Sequence, residues 1–384
     1  MTRQTFKFEP CVLPQSLGEL RRQVREFLAT ELASRDPRTR VRSWEHFDAD
    51  FSRAFAARGW IGMTWPKRYG GGERSALERY VVIEELLAGG APVAAHWIAD
   101  RQSGPLLLRF GTEAQRERYL PRIVRGECFF CIGMSEPDAG SDLANLRTRA
   151  VKVDGGWRVN GTKVWTSFAH VCHMMILLCR TREKSDERHA GMSQLLVDLK
   201  TPGVTVRPII NMMGGHNFNE VTFTDAFIPD DCLVGEEGNG WHQVTSELAF
   251  ERSGPERLLS TYVVLSEMVG RLGPAATDAQ AAAIGRLVAH LSTLRQMSVA
   301  VAQKLDAGLM PNLEASIVKE LGNVFEQVLP EVAREIVEVD LDIDSPDVFD
   351  ASLAYGVTHA PSFSLRGGTR EILRGIIARG LGLR

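Results

Sequence analysis

The spacing of apolar residues along the chain changes twice. In the first third they recur every three or four residues among charged positions, which is typical of amphipathic helices. From about residue 127 the pattern shifts to short runs rich in β-branched and aromatic residues, separated by turn residues, which predict strands. Helical spacing returns after Trp241. The predicted helices are 17–34, 44–59, 76–88, 112–125, 244–269, 278–306, 313–339 and 369–380, and the predicted strands are 128–134, 148–153, 157–160, 171–179, 194–198, 204–208 and 220–228.

This order predicts an α+β protein of three parts. Residues 1–126 form an N-terminal helical domain, 127–240 a central β domain, and 241–384 a C-terminal helical domain. The short strands of the central part favour a compact antiparallel barrel or sandwich. Within it, Asn160-Gly161 is predicted to form a type I′ hairpin turn, because this dipeptide tolerates positive φ at both positions.

Composition excludes several classes of function. The formal net charge of −3 is spread over mixed arginines and acids, so neither a nucleic-acid partner nor a membrane partner is expected. No run approaches the ~20 apolar residues of a membrane span, and the polar N-terminus lacks a secretory core, so we expect a cytoplasmic protein. The pair Cys128 and Cys131 has metal-ligand spacing, but it lies in an apolar predicted strand without a second such pair. No metal site is predicted.

The segment 133–142 carries the strongest chemical signal. It reads Gly-Met-Ser-Glu-Pro-Asp-Ala-Gly-Ser-Asp and follows a predicted strand. Pro137 cannot continue a sheet ladder, and Gly140 allows close backbone approach, so the chain turns here and exposes amides and hydroxyls. Such groups bind phosphates and flavin carbonyls, although an isolated segment of this kind is equally typical of an ordinary surface turn.

The same segment resembles the first signature of the acyl-CoA dehydrogenase family, Gly-hydrophobic-Ser/Thr-Glu-x-x-x-Gly-Ser/Thr-Asp, at every position. Only Asn145, where the family generally has a small residue, departs. Residues 163–167, Lys-Val-Trp-Thr-Ser, resemble the flavin-facing strand of that family, and 65–71 resemble an N-terminal motif.

The resemblance covers most of residues 10–260 and again 360–384, but not 270–360. It implies an N-terminal helical domain, a small β domain and a C-terminal four-helix bundle, usually assembled as a dimer or tetramer. It also implies FAD as cofactor and the α,β-dehydrogenation of an acyl-CoA thioester to the trans-2-enoyl-CoA. A carboxylate removes the α proton while the β hydrogen leaves as hydride to flavin N5.

Two segments carry the flavin contacts that the resemblance implies. Met134 and Ser135 are expected on the pyrimidine side of the flavin. Trp165 is expected beside the isoalloxazine ring, with Thr166 and Ser167 donating toward its N5 edge. A tryptophan in a strand is most often a core residue, but its place in this motif favours the cofactor.

Further expected contacts lie in the loop and in the C-terminal part. Ser141 is expected beside the ligand phosphates or pantetheine. The other expected cofactor contacts are Gly140, Thr369 and Glu371, and the other expected substrate contacts are Leu248, Arg252 and Gly368.

The catalytic base does not lie where most of the family carries it. The usual Tyr/Ser-Glu-Gly-Thr is replaced by Arg-Gly-Gly-Thr at 366–369, which puts Gly367 in place of the glutamate. A branch of the family that includes isovaleryl-CoA dehydrogenases has the base on an earlier helix, directly before an arginine. Glu251-Arg252 stands at that place and makes Glu251 the predicted base. The amide of Gly367 is expected to hydrogen-bond the thioester carbonyl.

The residues by which the family binds the FAD adenosine end are missing. No Arg-x-x-Phe-Gly segment follows the first helix of the C-terminal part, and the later region around 341–349 is acidic. One explanation is a heterotetramer in which a homologous subunit supplies these contacts. The other is a homo-oligomer in which Arg271, Arg286 or Arg295 takes over. Both remain open at this stage.

The predicted function is an FAD-dependent acyl-CoA dehydrogenase that passes electrons to an electron-transfer flavoprotein. Two alternatives stay open: a flavin-dependent oxidase or monooxygenase of the same fold, and a structural subunit of a heteromeric dehydrogenase. The position of the base indicates branched, long or bulky acyl groups by analogy with that branch. The run 214–220 has no assigned role.

Overall fold

Across residues 6–183 and 187–383, the computed structural model contains twelve α-helices and seven β-strands. The side chains of 247–251 are outside the described residues. The helices are α1 (Leu17–Glu31), α2 (Ala49–Ala57), α3 (Ala76–Gly89), α4 (Ala94–Ile98), α5 (Gly104–Phe110), α6 (Glu113–Val124), α7 (Gly240–Glu251), α8 (Tyr262–Leu272), α9 (Asp278–Asp306), α10 (Asn312–Ile336), α11 (Val348–Phe363) and α12 (Arg370–Gly380). The strands are β1 (Phe130–Gly133), β2 (Arg149–Val153), β3 (Gly156–Ser167), β4 (Met174–Arg180), β5 (Met192–Asp198), β6 (Val204–Ile209) and β7 (Phe218–Pro229).

The chain packs into two compact units. A helical unit combines Met1–His46, Arg74–Val93 and Leu248–Arg384, and a sheet unit combines Phe47–Glu73 and Ala94–Glu247. The helices of the N-terminal third are therefore shared between both units. The three-domain division at 126/127 and 240/241 stays a prediction.

The sheet unit contains a curled seven-stranded sheet in the order β1-β4-β2-β3-β7-β6, with β5 on β4. The sheet is mixed, because β4 runs parallel to β1 and to β2, whereas the other pairings are antiparallel. One buried cluster fills the space beneath it. Its members are apolar because alternate residues of each strand point to this face, and they include Trp157, Leu177, Leu195, Val221 and Phe223.

The predicted hairpin at Asn160-Gly161 is wrong. The two residues lie inside the long strand β3, where the pairing with β7 shifts register between Val159 and Gly161. Gly161 has φ 146°, and a Cβ at this position would lie 2.5 Å from the Thr148 hydroxyl. The glycine therefore serves a β-bulge instead of a turn. The hairpin between β2 and β3 turns at 154–155.

The single helix predicted over 244–269 is also wrong. It is interrupted between α7 and α8, where Gly254 and Pro255 start a short 3-10 turn. Proline lacks the amide that a continuous helix needs. The sequence pattern also missed α11, whose apolar spacing is obscured by Gly356 and Pro361. A Cβ on Gly356 would lie 3.3 Å from Val264 of α8, so this glycine lets the two helices pack closely.

The helical unit is joined by buried ion pairs as well as by apolar packing. Glu84 of α3 binds Arg21 of α1 and Arg295 of α9, with N–O distances of 2.7 and 2.5 Å. Glu85 pairs with Arg21 and with Arg25. These carboxylates are almost fully buried, and each is compensated by two arginines. Among the described residues, no helix combines the length and hydropathy that crossing a membrane requires.

Candidate functional site

The two motif segments of the sheet unit are joined directly by hydrogen bonds. The Val164 amide donates to the Ser135 carbonyl at 2.9 Å. The Lys163 ammonium donates to the Met134 carbonyl at 2.9 Å and to the Glu136 carboxylate at 2.8 Å. The structure therefore brings the predicted flavin contacts of 134–135 beside those of 163–167. Met134 and Ser135 are half-buried.

Glu136 is the centre of this junction. Its second carboxylate oxygen accepts the Arg147 amide at 2.6 Å, and its first accepts the Thr148 amide at 2.9 Å as well as Lys163. Burial alone would raise the pKa of Glu136, but Lys163 and these donors hold the pKa below its ordinary value. Burial lowers the pKa of Lys163, against the opposing effect of Glu136. Neither side chain was among the predicted contacts.

Trp165 stands out by its backbone and by its exposure. Its φ is 58°, in the left-handed region that bulky residues rarely adopt, and 59% of its surface is exposed. The register of β3 against β7 shifts between Lys163 and Thr166, so Trp165 lies in a bulge. Bulges of this kind re-aim side chains near ligand sites. The fold therefore holds an aromatic ring out of the core at an energetic cost of ~1–3 kcal/mol.

The next two residues differ in burial. Ser167 is part-exposed, whereas the Thr166 side chain is fully buried. The structure thus leaves Trp165 and Ser167 accessible at the surface but not the Thr166 side chain. Gly140 and Ser141 are exposed in the loop after Glu136.

A support for the bulge comes from the run 214–220. The buried Asn219 side chain donates to the Thr166 carbonyl at 3.0 Å, and its amide oxygen lies 2.8 Å from His216 Nε2. The His216 ring stacks on His170 at 3.8 Å. The hydrogen bond between Asn219 and Thr166 spans 53 positions along the chain, so sequence periodicity could not have revealed it.

In the helical unit, α10 holds the loop 366–369 at both ends. Before the loop, Arg366 pairs with Glu326 at 2.9 Å, and after it Arg370 pairs with Glu320 at 2.8 Å. Between them, the fully buried Lys319 donates to the Gly368 carbonyl at 2.8 Å. Three residues of one helix therefore determine the course of the loop. None of the three was predicted.

Arg252 lies against the same loop. It is 5% exposed, its Nη1 is 3.5 Å from the Ser316 hydroxyl, and a Cβ on Gly368 would lie 3.5 Å from its Nη2. Gly367 has φ 64°, a conformation that favours glycine. The structure brings Arg252 together with the Gly367-Gly368 loop.

Four further predicted residues lie at the start of α12 and at the end of α7. Thr369 caps α12, its hydroxyl accepting the Ile372 amide at 3.5 Å, and Glu371 is exposed in the first turn. Hydrogen bonds from its own backbone amide and from Thr369 lower the pKa of Glu371. Leu248 and Glu251 lie at the end of α7, and their side chains are outside the described residues.

Comparison with known proteins identifies the family. Residues 15–127 match the model of the acyl-CoA dehydrogenase N-terminal domain, and residues 131–226 match that of the middle domain. The acyl-CoA dehydrogenase IpdE1 of Mycobacterium tuberculosis is 35% identical, over 96% of this chain and 98% of that protein. The chain belongs to the acyl-CoA dehydrogenase family. It is accordingly an FAD-dependent oxidoreductase.

Other acyl-CoA dehydrogenases agree with this membership. FadE34 of Mycobacterium tuberculosis is 34% identical over 85% of this chain, which spans 45% of that longer protein. The structure titled Tcur3481-Tcur3483 steroid ACAD superposes with a TM-score of 0.87 at 26% identity, over 96% of this chain and 97% of that one. The structure of the ChsE4-ChsE5 complex from Mycobacterium tuberculosis superposes with a TM-score of 0.85 at 28% identity, over 98% of this chain and 99% of that one. The predicted fold class is confirmed.

The sheet unit has a surface that fits the flavin of this family. A flavin offers a planar aromatic ring with polar edges. The exposed Trp165 ring offers a stacking surface for the flavin ring. Ser135 and Ser167, part-exposed residues of the two joined segments, carry hydroxyls of the kind that bind the polar edges. Within the described residues, no group of three or more His, Cys, Asp or Glu could hold a metal ion.

Lys163→Met tests the buried pair. It leaves the Glu136 carboxylate buried without its cation, so we expect a loss of about 3–5 kcal/mol in the free energy of unfolding, with less FAD in the purified protein. Lys152→Met, which removes the exposed partner of Asp230 on neighbouring β2, should cost less than about 1 kcal/mol. Adding Glu136→Gln to Lys163→Met should recover most of the loss. Denaturant unfolding of all four proteins checks this, and equal stability of the two lysine variants would contradict it.

Trp165→Asn separates ligand binding from stability. Asparagine tolerates the left-handed backbone, and the lost ring is exposed, so the FAD-free protein should unfold at the same temperature or slightly above. FAD should bind at least about tenfold more weakly, because a stacking surface is lost. Trp157→Ala, in the core of the same strand, should instead destabilise the fold by about 3–5 kcal/mol. Thermal unfolding and fluorescence titration with FAD distinguish these outcomes; unchanged affinity would remove Trp165 from the site.

Proposed function

We propose that this chain catalyses the α,β-dehydrogenation of an acyl-CoA thioester with Glu251 as the base. The observation that carries the proposal is the position of Arg252, which lies against the loop where most of the family has its glutamate. Glu251 precedes Arg252 in the chain and is therefore near the same loop. Gly367 provides no carboxylate there, so the reaction requires a base from another element.

The residues in and beside this loop have separate tasks in the proposed reaction. Glu251 takes the α proton, and the amide of Gly367 hydrogen-bonds the thioester carbonyl and stabilises the developing enolate. The positive charge of Arg252 favours the ionised form of a neighbouring carboxylate and orients the acyl group. When bound, FAD supplies the chemistry of hydride acceptance. Lys319, Glu320 and Glu326 keep the loop in position without contacting the substrate.

We further propose a bulky acyl group, such as a steroid-derived acyl chain, as substrate. The support is the similarity to the Tcur3481-Tcur3483 steroid ACAD over nearly the whole of both chains. Electrons from the reduced flavin then pass to an electron-transfer flavoprotein, because a dehydrogenase, unlike an oxidase, uses an electron acceptor other than oxygen.

The adenosine end of FAD is proposed to contact a homologous partner subunit. Two of the three arginines that could replace the missing residues are already engaged. Arg295 is bound by Glu84, and Arg271 pairs with Asp347 and Asp350 at 3.0 and 2.9 Å. Only Arg286 of these three has no ion pair within the described part of the chain. A single exposed arginine binds a diphosphate only weakly.

Glu251→Gln tests the base. We expect kcat to fall about 10²–10⁴-fold, because the amide cannot accept the α proton, while the flavin absorbance of the purified protein stays unchanged. Glu247→Gln, one turn earlier in α7, serves as the matched control and should keep most of the activity. The assay is reduction of an artificial electron acceptor with a series of linear, branched and steroid-type acyl-CoA thioesters. Near-normal turnover by Glu251→Gln would disprove the assignment.

Expression with and without a homologous partner tests the assembly. The chain alone should retain less than one FAD per chain, and co-expression with a homologous subunit should restore full occupancy, since the partner completes the adenosine site. Flavin absorbance and light scattering measure occupancy and assembly. If the chain alone forms a homo-oligomer with full FAD, and Arg286→Gln removes that FAD, the result would favour a homo-oligomer in which Arg286 binds the adenosine end.

A further inference from the structure

The residues 216–219, which lead into β7, contact the segment 165–170 one by one. This segment contains Trp165 and the exit from β3. The contacting pairs are Phe218 with Trp165, Asn219 with Thr166, Asn217 with Phe168 and His216 with His170. The run that the sequence left without a role is therefore the partner of the predicted flavin-facing segment.

The segment needs such a partner because its backbone is strained at two positions. Trp165 has φ 58° and Phe168 has φ 57°, and bulky residues occupy this left-handed region only where their surroundings impose it. The Phe168 amide donates to the Asn217 carbonyl at 2.9 Å. The Thr166 carbonyl, between the two strained residues, accepts the Asn219 side-chain amide at 3.0 Å. These two hydrogen bonds hold the backbone at and between the strained positions.

His216 determines which way the Asn219 side chain faces. A carboxamide can turn over and exchange its oxygen for its nitrogen. The Thr166 carbonyl requires the nitrogen, so the oxygen of Asn219 must accept from another group. His216 Nε2 lies 2.8 Å from that oxygen and supplies the N–H. The Asn219 side chain is fully buried, so bulk water does not replace this donor.

The His216 ring is itself held from two sides. Before it, the side-chain oxygen of Asn211 accepts the amides of Met213 and Gly215 at 3.0 and 2.8 Å, which closes the loop. Above it lies the exposed His170 ring, with the ring centroids 3.8 Å apart and the planes at 18°. Loop and stack together place the His216 N–H at the Asn219 oxygen.

Phe218 orients the Trp165 ring. The two rings meet edge to face, with their centroids 5.9 Å apart and their planes at 85°, which is a favourable geometry for an aromatic pair. More than half of the Trp165 surface stays exposed. The contact therefore fixes the plane of the ring without covering it.

We propose that His216, Asn219 and Phe218 are positioning residues for FAD binding. His216 and Asn219 hold Trp165 in the left-handed conformation that presents its ring, and Phe218 fixes the plane of that ring. All three act through Trp165, so their effect on FAD requires its side chain. The proposal rests on the predicted contact between Trp165 and the flavin, and it is independent of the base and of the acyl substrate.

A double-mutant cycle in FAD affinity tests the proposal. The assembly that retains FAD is stripped of the cofactor and titrated with FAD by fluorescence. The variants are His216→Ala, His216→Gln and Phe218→Leu, each alone and combined with Trp165→Asn. His216 is replaced instead of Asn219, because the loss of a fully buried side chain would also destabilise the fold. The matched control is Met212→Ala, a fully exposed side chain on the same loop.

We expect His216→Ala to bind FAD about fivefold more weakly, because the Asn219 amide loses the donor that orients it. Glutamine offers an N–H to the same oxygen, so His216→Gln should stay within about twofold of the unmodified protein. Phe218→Leu should weaken binding about threefold, since the edge-to-face contact is lost. With Trp165→Asn present, each substitution should change the affinity less than about twofold, because the effects pass through one residue. Met212→Ala should bind FAD normally.

Three outcomes would overturn the positioning role. They are unchanged affinity of both His216→Ala and Phe218→Leu, a loss that persists in full beside Trp165→Asn, and a His216→Gln variant as weak as His216→Ala. Unchanged affinity of Trp165→Asn by itself would overturn the premise that Trp165 contacts the flavin. Thermal unfolding of each variant verifies that a loss of affinity does not come from a loss of fold.

Discussion

The buried ion pair between Glu136 and Lys163 is the constraint on which the candidate flavin surface of the sheet unit depends. It joins the loop after β1 to the middle of β3, two segments that are distant in the chain. The carboxylate is saturated by one ammonium and two backbone amides, so neither segment can move without leaving a buried charge unsatisfied. The loop can therefore present its next residues at one defined position.

The same physical principle recurs in the helical unit. The Gly367-Gly368 loop has little intrinsic preference for one conformation, because glycine is permissive. Two ion pairs and one lysine-to-carbonyl hydrogen bond from α10 hold it at both ends and in the middle. Largely buried charged groups thus position the loop proposed to meet the ligand.

The strained backbone at Trp165 lowers the stability of the sheet unit, and such a cost indicates a position where a ligand is expected. Trp165 occupies an unfavourable backbone region and exposes a large apolar ring. This arrangement does not improve the folded chain by itself, and backbone strain of this kind is typical of functional sites.

The sequence determined the order of helical and β-rich segments, the family, and the flavin and base hypotheses, because short motifs and local periodicity carry that information. It did not determine what Asn160-Gly161 does, since a bulge and a hairpin turn use the same dipeptide and differ only in the strand opposite. It also could not show that Lys163 meets Glu136, that Asn219 supports the Trp165 bulge, or that Lys319 holds the Gly368 carbonyl. These contacts join residues 27, 53 and 49 positions apart. Only the tertiary structure decides them, because the partner of a buried polar group depends on which distant segments the fold brings within hydrogen-bond distance.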